Sequence, residues 1–220
     1  MATPGALVTE TARLLGMSEV YLSAYDRALA KAGLRASGGR GPSAARMGSD
    51  DAAALLISVL SGGLAKDAAE SVQVYSALKP ELQVRSIWQE RRLISFVDYR
   101  SAVDTIGFNL SAIENLPVNH SFFEIFSALL LAATTGEIEE SVKELTASVA
   151  EDVILSEVKW HMRVRLYSPM PKAEIIFAYA GVKARYIYGV PDNMSQLGDL
   201  QREFSITQET ILGIGQLLRT

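Results

Sequence analysis

A cluster of positively charged side chains lies in a glycine-rich part of the chain, and this composition is suited to binding phosphate groups. Between positions 27 and 46 the sequence carries five cationic residues and no acidic one. They are Arg27, Lys31, Arg35, Arg40 and Arg46. Lysine and arginine bind nucleic acids by contacting phosphate oxygens and by displacing counterions. The segment therefore predicts contact with a polyanion such as DNA.

The residues that most often perform catalysis or bind metals do not form a recognisable site. The chain has no cysteine and two histidines, His120 and His161. Helix capping explains the first, and phosphate or solvent contact on a basic strand explains the second. The glutamates of segment 137–144 lie at a predicted helix start, where the helix dipole favours negative charge. We expect no catalytic residue, no metal site, no cofactor and no enzymatic activity.

Two glycine motifs bear a superficial likeness to nucleotide-binding loops. Gly38-Gly-Arg-Gly41 lacks the Lys-Ser/Thr pair of a P-loop and does not follow a predicted apolar strand. Gly213-Ile-Gly215 falls inside a predicted helix. Neither motif is expected to bind a nucleotide.

The cationic segment follows a pattern that is typical of a helix-turn-helix. Ala12 is small enough for two helices to cross closely, and Gly16 supplies the positive φ that a three-residue turn needs. Ser18 is suited to cap the second helix, because its hydroxyl can accept a free backbone N–H. Helical spacing then turns Leu22, Tyr25 and Leu29 inward. These positions predict a second helix over residues 18–33.

The outer face of this second helix is predicted to read base edges in the major groove of DNA. Its candidates are Glu19, Tyr21, Ser23, Ala24, Arg27 and Lys31. Within the Gly/Arg loop of residues 35–46, Arg35, Arg40 and Arg46 are predicted to follow the phosphates or to enter the adjacent minor groove. Glu19 and Asp26 argue against this reading, because acidic residues repel phosphate.

This first quarter of the chain resembles the winged helix of MerR-type regulators, phage excisionases and some phage small terminase subunits. The resemblance rests on the helix-turn-helix of residues 7–25, the Gly/Arg loop and the helix that starts at Ser49-Asp50-Asp51. It implies a winged helix-turn-helix that binds double-stranded DNA. The chain as a whole is similar to proteins carried by phages and prophages, a likeness that implies no activity.

The rest of the chain predicts an α+β fold with a helical middle, a C-terminal three-stranded antiparallel meander and a final helix. Segment 122–133 is apolar round most of a helix, with Ser121 and Glu124 as a capping box. From position 158 apolar and polar residues alternate, which indicates a half-buried strand with a basic outer face. Two further strands are predicted over 173–180 and 182–190, and a last helix over 206–218.

We expect three parts in the chain. Residues 1–79 would form the DNA-binding domain, 80–116 a connecting helical segment, and 117–220 an oligomerisation body. The net charge is −4, yet residues 1–50 hold six Lys/Arg against four Asp/Glu, so the head is basic and the body acidic. A homo-oligomer, preferably a dimer, would cover the apolar helix and the open edges of the meander.

The function expected from the sequence is DNA binding by a transcription regulator of a phage or mobile element, with a cytoplasmic location and no membrane association. The longest apolar block is too short to cross a bilayer. The alternative is a small terminase subunit that recognises viral DNA for packaging. A third interpretation, in which the helical hairpin and its loop contact only proteins, also stays open.

Overall fold

The computed structural model of the protein describes residues 2–38, 45–89, 92–98, 108–147, 160–179, 182–189 and 201–220. Within these ranges the chain forms α-helices and one antiparallel sheet, with a short 3₁₀ turn over Ala65–Asp67. The helices are α1 (Pro4–Leu15), α2 (Glu19–Lys31), α3 (Ser49–Leu60), α4 (Ala68–Ser76), α5 (Ser111–Glu114), α6 (Phe122–Thr135), α7 (Glu137–Ala147) and α8 (Gln208–Arg219).

The sheet has six strands in the described residues. They are β1 (Pro80–Gln89), β2 (Arg92–Asp98), β3 (Trp160–Ser168), β4 (Lys172–Tyr179), β5 (Val182–Tyr188) and β6 (Arg202–Thr207). Their spatial order is β2-β1-β5-β4-β3-β6, and every neighbouring pair is antiparallel. Met162, Val164 and Leu166 of β3 are fully buried and alternate with less buried residues, as the period of two predicts.

The helices pack on one face of the sheet, with α3 and α6 at the centre. All nine residues from Ala52 to Leu60 of α3 are buried, and so is most of α6. The capping box predicted for α6 is present, because the Ser121 hydroxyl accepts the Glu124 N–H and the Glu124 carboxylate accepts the Ser121 N–H. A left-handed Gly136 ends the helix.

Helix α8 fits tightly between α1 and α6 because it carries two glycines. A Cβ placed on Gly215 would lie 2.6 Å from the carbonyl carbon of Ala133 in α6. A Cβ placed on Gly213 would lie 2.8 Å from a methyl group of Leu14 in α1. The Gly213-Ile-Gly215 motif therefore allows two close helix contacts within α8, where the sequence predicted helix rather than a nucleotide loop.

The predicted α+β class, the antiparallel strands at the C-terminal end and the final helix are confirmed. Two details were wrong, and one was incomplete. Segment 80–116, expected as a connecting helical segment, contains β1 and β2. The predicted three-stranded meander is present as β3, β4 and β5, but the sheet extends on both sides of it to six strands. The last helix begins at Gln208, because residues 202–207 pair with β3 as strand β6.

The expected division of the chain at 79/80 and 116/117 runs through a shared core. Helix α1 packs against α8, and α3 packs against α6, so head and body residues belong to one hydrophobic cluster. The two edges of the predicted meander are paired within the chain, because β1 pairs with β5 and β6 pairs with β3. Because α6 and these strand edges are covered within the chain, neither feature calls for a partner subunit. None of the helices in the described residues is long and apolar enough to span a membrane.

Candidate nucleic-acid interface

Helices α1 and α2 are joined by a tight turn of three residues. Thr3 caps α1 by accepting the Ala6 N–H, and Pro4 occupies the first helical turn, where its missing N–H costs nothing. Gly16 ends α1 with φ of 64°, a left-handed conformation that glycine adopts without strain. Ser18 lies at the N-cap of α2, but its side chain makes no capping hydrogen bond. The structure thus has two helices joined by a three-residue turn, with the second helix over Glu19–Lys31.

The inner face of α2 is anchored by the three residues that the sequence placed there. Leu22, Tyr25 and Leu29 are each at most 1% exposed. The Tyr25 hydroxyl donates to the Gly63 carbonyl at 2.6 Å, which ties α2 to the chain that follows α3. Since this face is buried, the opposite face of α2 is fixed toward solvent.

The centre of the outer face carries Val20, Arg27 and Lys31. Val20 is 78% exposed, and both cationic side chains are exposed. The Arg27 Nε donates to the Ser23 carbonyl at 3.2 Å, so the guanidinium lies along the helix surface. Among the described residues neither Arg27 nor Lys31 has a carboxylate partner. Ser23 and Ala24 are half-buried beside them, and exposed Glu19 lies at the start of the helix.

Tyr21 lies on the flank of α2 rather than on its centre. Its ring meets the ring of Tyr25 edge to face at 5.0 Å, and the two hydroxyls are 2.6 Å apart. The side chain lines a pocket beside the end of α3. Tyr21 is nevertheless 43% exposed, and its contact with DNA bases stays a prediction.

Arg35 has a structural role in this arrangement. Its Nη2 donates to Oδ2 of Asp26 at 2.9 Å, and its Nε lies 2.7 Å from Oδ1. The Nη1 donates to the Ala36 carbonyl at 2.6 Å. The guanidinium is therefore occupied within the chain, and the predicted phosphate contact by Arg35 does not fit this geometry. The ion pair also accounts for the acidic residue in α2. The negative charge of Asp26 argued against DNA binding, but Arg35 neutralises it, and both side chains are largely buried.

The two ends of the Gly/Arg loop are held together at the start of α3. Asp51 accepts the Ala36 N–H at 2.7 Å through one carboxylate oxygen and the Gly48 N–H at 2.8 Å through the other. The Met47 N–H donates to the Ala2 carbonyl at 3.0 Å. Residues 32–38 and 45–48 contain no strand, so they show no wing hairpin. Arg46 is exposed, and Arg40 lies outside the described residues.

A second cationic surface covers the face of the sheet that is turned away from the helices. Cross-strand pairing places Arg163 of β3 and Arg185 of β5 on either side of Ile176 in β4, all on this face. Two residues further along each strand, and so on the same face, His161 and Lys183 lie on either side of Ala178 in β4. The outer face of β3 is basic, as the alternation from position 158 predicts, and β5 adds two further cations to it.

The like charges on this sheet face affect one another. Burial, followed by repulsion from Arg163 and Lys183, lowers the pKa of His161. Burial, followed by repulsion from Arg185, likewise lowers the pKa of Lys183. Two carboxylates offset part of the charge, because Lys172 pairs with Glu174 at 2.8 Å and Arg165 pairs with Glu203 at 3.3 Å. The face remains net cationic.

The side chains that could bind a metal ion are dispersed in the described part of the chain. No group of three or more His, Asp or Glu side chains converges there. His120 is 2% exposed and hydrogen-bonded to the Pro117 carbonyl and the Tyr188 hydroxyl, each at 2.7 Å, which is a structural role. Of the acidic residues of α7, Glu137 accepts from Ser111 and Glu139 pairs with Arg219.

Comparison of the chain with protein-family models, with curated proteins and with solved structures finds no match. The function must therefore be argued from the residues of the chain itself. One relevant residue escaped the sequence reasoning. Val20 occupies the centre of the exposed face of α2, and a helical wheel that opposes Leu22 and Leu29 would have placed it there.

Proposed function

We propose that the protein binds double-stranded DNA by laying the outer face of α2 in the major groove. The observation that carries the proposal is this exposed face, where Arg27 and Lys31 lack carboxylate partners among the described residues. The major groove has the width to admit an α-helix. In this position the Arg27 guanidinium can donate hydrogen bonds to the acceptors of guanine. The methyl groups of Val20 can make apolar contact with the methyl group of thymine.

The Gly/Arg loop supports the proposal by its attachment. The Asp26–Arg35 ion pair and the two hydrogen bonds of Asp51 fix the base of the loop beside α2. A loop held at its base loses less conformational entropy on binding than a free one. In the proposed complex Arg40 and Arg46 of this loop contact phosphates next to the groove that α2 occupies.

The biological role that we propose is transcription regulation in a phage or mobile element. It rests on the resemblance of the helix-turn-helix and Gly/Arg loop to MerR-type regulators. Packaging by a small terminase depends on a ring of subunits. The apolar surface of α6 was a reason to expect a homo-oligomer, preferably a dimer, and α3 and α8 of the same chain cover this surface.

The proposal is tested by selecting duplexes from a random DNA library with the full chain and measuring affinity by fluorescence anisotropy over a range of salt concentrations. The double variant Arg27→Ala/Lys31→Ala should bind the selected duplex at least tenfold more weakly. For each of the two residues that contacts a phosphate, the slope of log affinity against log salt should become shallower by about 1. Failure of the parent protein to select or bind any duplex would overturn the proposal.

Two further variants make the result specific for α2. Lys143→Ala removes an exposed lysine from α7 and should leave the affinity unchanged. Lys183→Ala/Arg185→Ala removes two cations from the outer face of the sheet. If this second double variant abolished binding while Arg27→Ala/Lys31→Ala bound normally, the sheet face would be the DNA interface and the assignment to α2 would be wrong.

A further inference from the structure

A pocket of about 250 Å³ lies between the α1–α2 turn, the end of α3 and the edge strand β6. The side chains that line it are mainly apolar and include Leu15, Met17, Val59 and Phe204. Tyr21 and Tyr25 of α2 line it as well. The pocket therefore joins the helix-turn-helix to the edge of the sheet, and none of its lining residues is charged.

The position of Phe204 in this lining depends on a glycine. Gly62 has φ of 72°, and a Cβ at this position would overlap the Phe204 ring. The missing side chain lets the ring lie directly against the backbone that follows α3. Phe204 is 38% exposed on an edge strand, so its ring presents an apolar surface to whatever enters the pocket.

The two tyrosine hydroxyls form a chain with a defined direction. The Tyr25 hydroxyl uses its one proton to donate to the Gly63 carbonyl at 2.6 Å. The contact of 2.6 Å between the two hydroxyls must then be a bond that Tyr21 donates to Tyr25. Burial is the main cause that raises the pKa of Tyr25, and this hydroxyl stays protonated at neutral pH. The Tyr21 oxygen keeps its lone pairs, and the pair of tyrosines offers a ligand an acceptor.

We propose that this pocket binds an uncharged small molecule that consists mainly of an aromatic or alicyclic ring and carries one hydrogen-bond donor. The ring packs against Phe204 and Met17, and the donor binds the Tyr21 oxygen. A charged ligand would lose its hydration without gaining a counter-charge in the pocket. The apolar walls with one polar group that fixes orientation are the usual composition of a small-molecule site.

Occupancy of the pocket also has a consequence for α2, which rests on the proposed function. Tyr21 lies one residue from Val20 on the same helix, and the pocket wall includes Met17 in the turn that orients α2. A ligand that contacts both residues changes the free energy of moving α2 relative to α1. Such a ligand is therefore expected to change the affinity for DNA.

Binding is tested with indole, which has a ring system and one N–H donor, and with benzothiophene, which has a similar shape and no donor. In methyl-labelled full-length protein, indole should shift the Met17 methyl resonance in a saturable manner. Tyr21→Phe should weaken indole binding about three- to tenfold, which corresponds to one hydrogen bond, and should leave benzothiophene unchanged. Phe204→Ala should weaken both probes about tenfold or more, because it removes an apolar wall.

Ile94→Ala is the matched control, since Ile94 is 40% exposed on β2 at the other edge of the sheet. It should bind both probes as the parent does. A missing Met17 shift, or equal binding of indole by the parent, Tyr21→Phe and Phe204→Ala, would overturn the site. Light scattering at increasing protein concentration tests whether a second copy of the chain fills the pocket. If the chain associates and the indole response disappears at the same time, the pocket is a protein contact and the small-molecule site is overturned.

The DNA measurement separates this inference from the proposed function. A change of at least threefold in DNA affinity on saturation with indole supports both the site and its coupling to α2. Saturable indole binding by a protein that binds no DNA would contradict the proposed function and support the small-molecule site. Normal DNA binding that indole leaves unaltered, despite a saturated Met17 shift, overturns the coupling and supports the site alone.

Discussion

Asp26 of α2 and Arg35 of the following loop form a bidentate ion pair beneath the surface that α2 presents to solvent. Nη2 of Arg35 donates to Oδ2 of Asp26 at 2.9 Å, and Nε lies 2.7 Å from Oδ1. The two side chains are only 12% and 10% exposed. The pair fixes the direction in which the chain leaves α2. It therefore links the stability of the head to the position of the Gly/Arg loop.

Replacing Arg35 with Ala should lower the free energy of unfolding by about 3 kcal/mol, because it leaves the Asp26 carboxylate buried without its partner. Urea denaturation of the full chain measures the change. Arg27→Ala is the matched control, since it removes an exposed arginine from the same helix and should cost within about 0.5 kcal/mol. Equal stability of the two variants would show that the ion pair does not hold the loop.

The glycines of α8 give a second prediction about packing. Gly215→Ala should destabilise the protein by at least about 2 kcal/mol, since the added methyl group would lie 2.6 Å from backbone and side-chain carbon atoms of Ala133. This cost exceeds the gain of roughly 1 kcal/mol in helix propensity from glycine to alanine. Thermal unfolding monitored by circular dichroism measures the shift in Tm.

Two other glycines provide the controls for this experiment. Gly5→Ala, with nothing within 4 Å of the new methyl group, should be neutral or slightly stabilising. Gly213→Ala should fall between the two, because the nearest atoms are the mobile methyl groups of Leu14. A Gly215→Ala variant as stable as Gly5→Ala would contradict the close crossing of α6 and α8.

The sequence predicted those parts of the fold whose hydrophobic period is clear. Leu22, Tyr25 and Leu29 follow the helical period, and Met162, Val164 and Leu166 follow the strand period. In both segments the residues are buried as the period requires. Strand β1 was missed because Val84, Ile87 and Trp88 are spaced as on a helix, although the chain there pairs with β2 and β5. Long-range pairing overrode the local pattern.

The candidate site was predicted less completely than the fold. The exposed positions of α2 follow from its buried ones, which is why Arg27 and Lys31 were identified. The position of Arg35 could not be read from the sequence, because its partner Asp26 lies nine residues away across an irregular segment. Nor does the sequence contain a signal for the pocket, since Phe204 and Tyr21 come from opposite ends of the chain.

The environment of His120 predicts a pH dependence of stability. The Pro117 carbonyl can only accept, so Nδ1 carries the proton and Nε2 accepts from the Tyr188 hydroxyl. Burial lowers the pKa of His120 despite the hydrogen bond to Pro117 and the nearby Glu124. His161 also has a lowered pKa. Both groups are therefore harder to protonate in the folded protein than in the unfolded chain.

As the pH falls below about 6.5, the unfolded chain takes up protons at these positions before the folded chain does, so stability should decrease. Above that pH the effect should be absent. Urea denaturation at pH 7.5 and 5.5 measures the difference. His120→Gln should reduce this pH dependence, and His161→Gln should remove a further part of it. An equal loss of stability between the two pH values in the parent and in His120→Gln would assign the dependence to other groups.

The proposed complex also predicts different roles for α2 and the Gly/Arg loop, with bases contacted by α2 and phosphates by the loop. Arg46→Ala, and more strongly Arg40→Ala/Arg46→Ala, should weaken binding equally for the selected duplex and for random DNA, because phosphate contacts carry no sequence information. Each lost contact should reduce the salt slope by about 1. Arg27→Ala should instead weaken the selected duplex by about 1–3 kcal/mol more than random DNA, since it removes a base contact. Anisotropy titrations with both duplexes at several salt concentrations measure the affinity and the salt slope of each of the three variants. Equal losses on the two duplexes for Arg27→Ala would place Arg27 on the phosphate backbone, and no loss for any of these variants would favour a head that contacts only proteins.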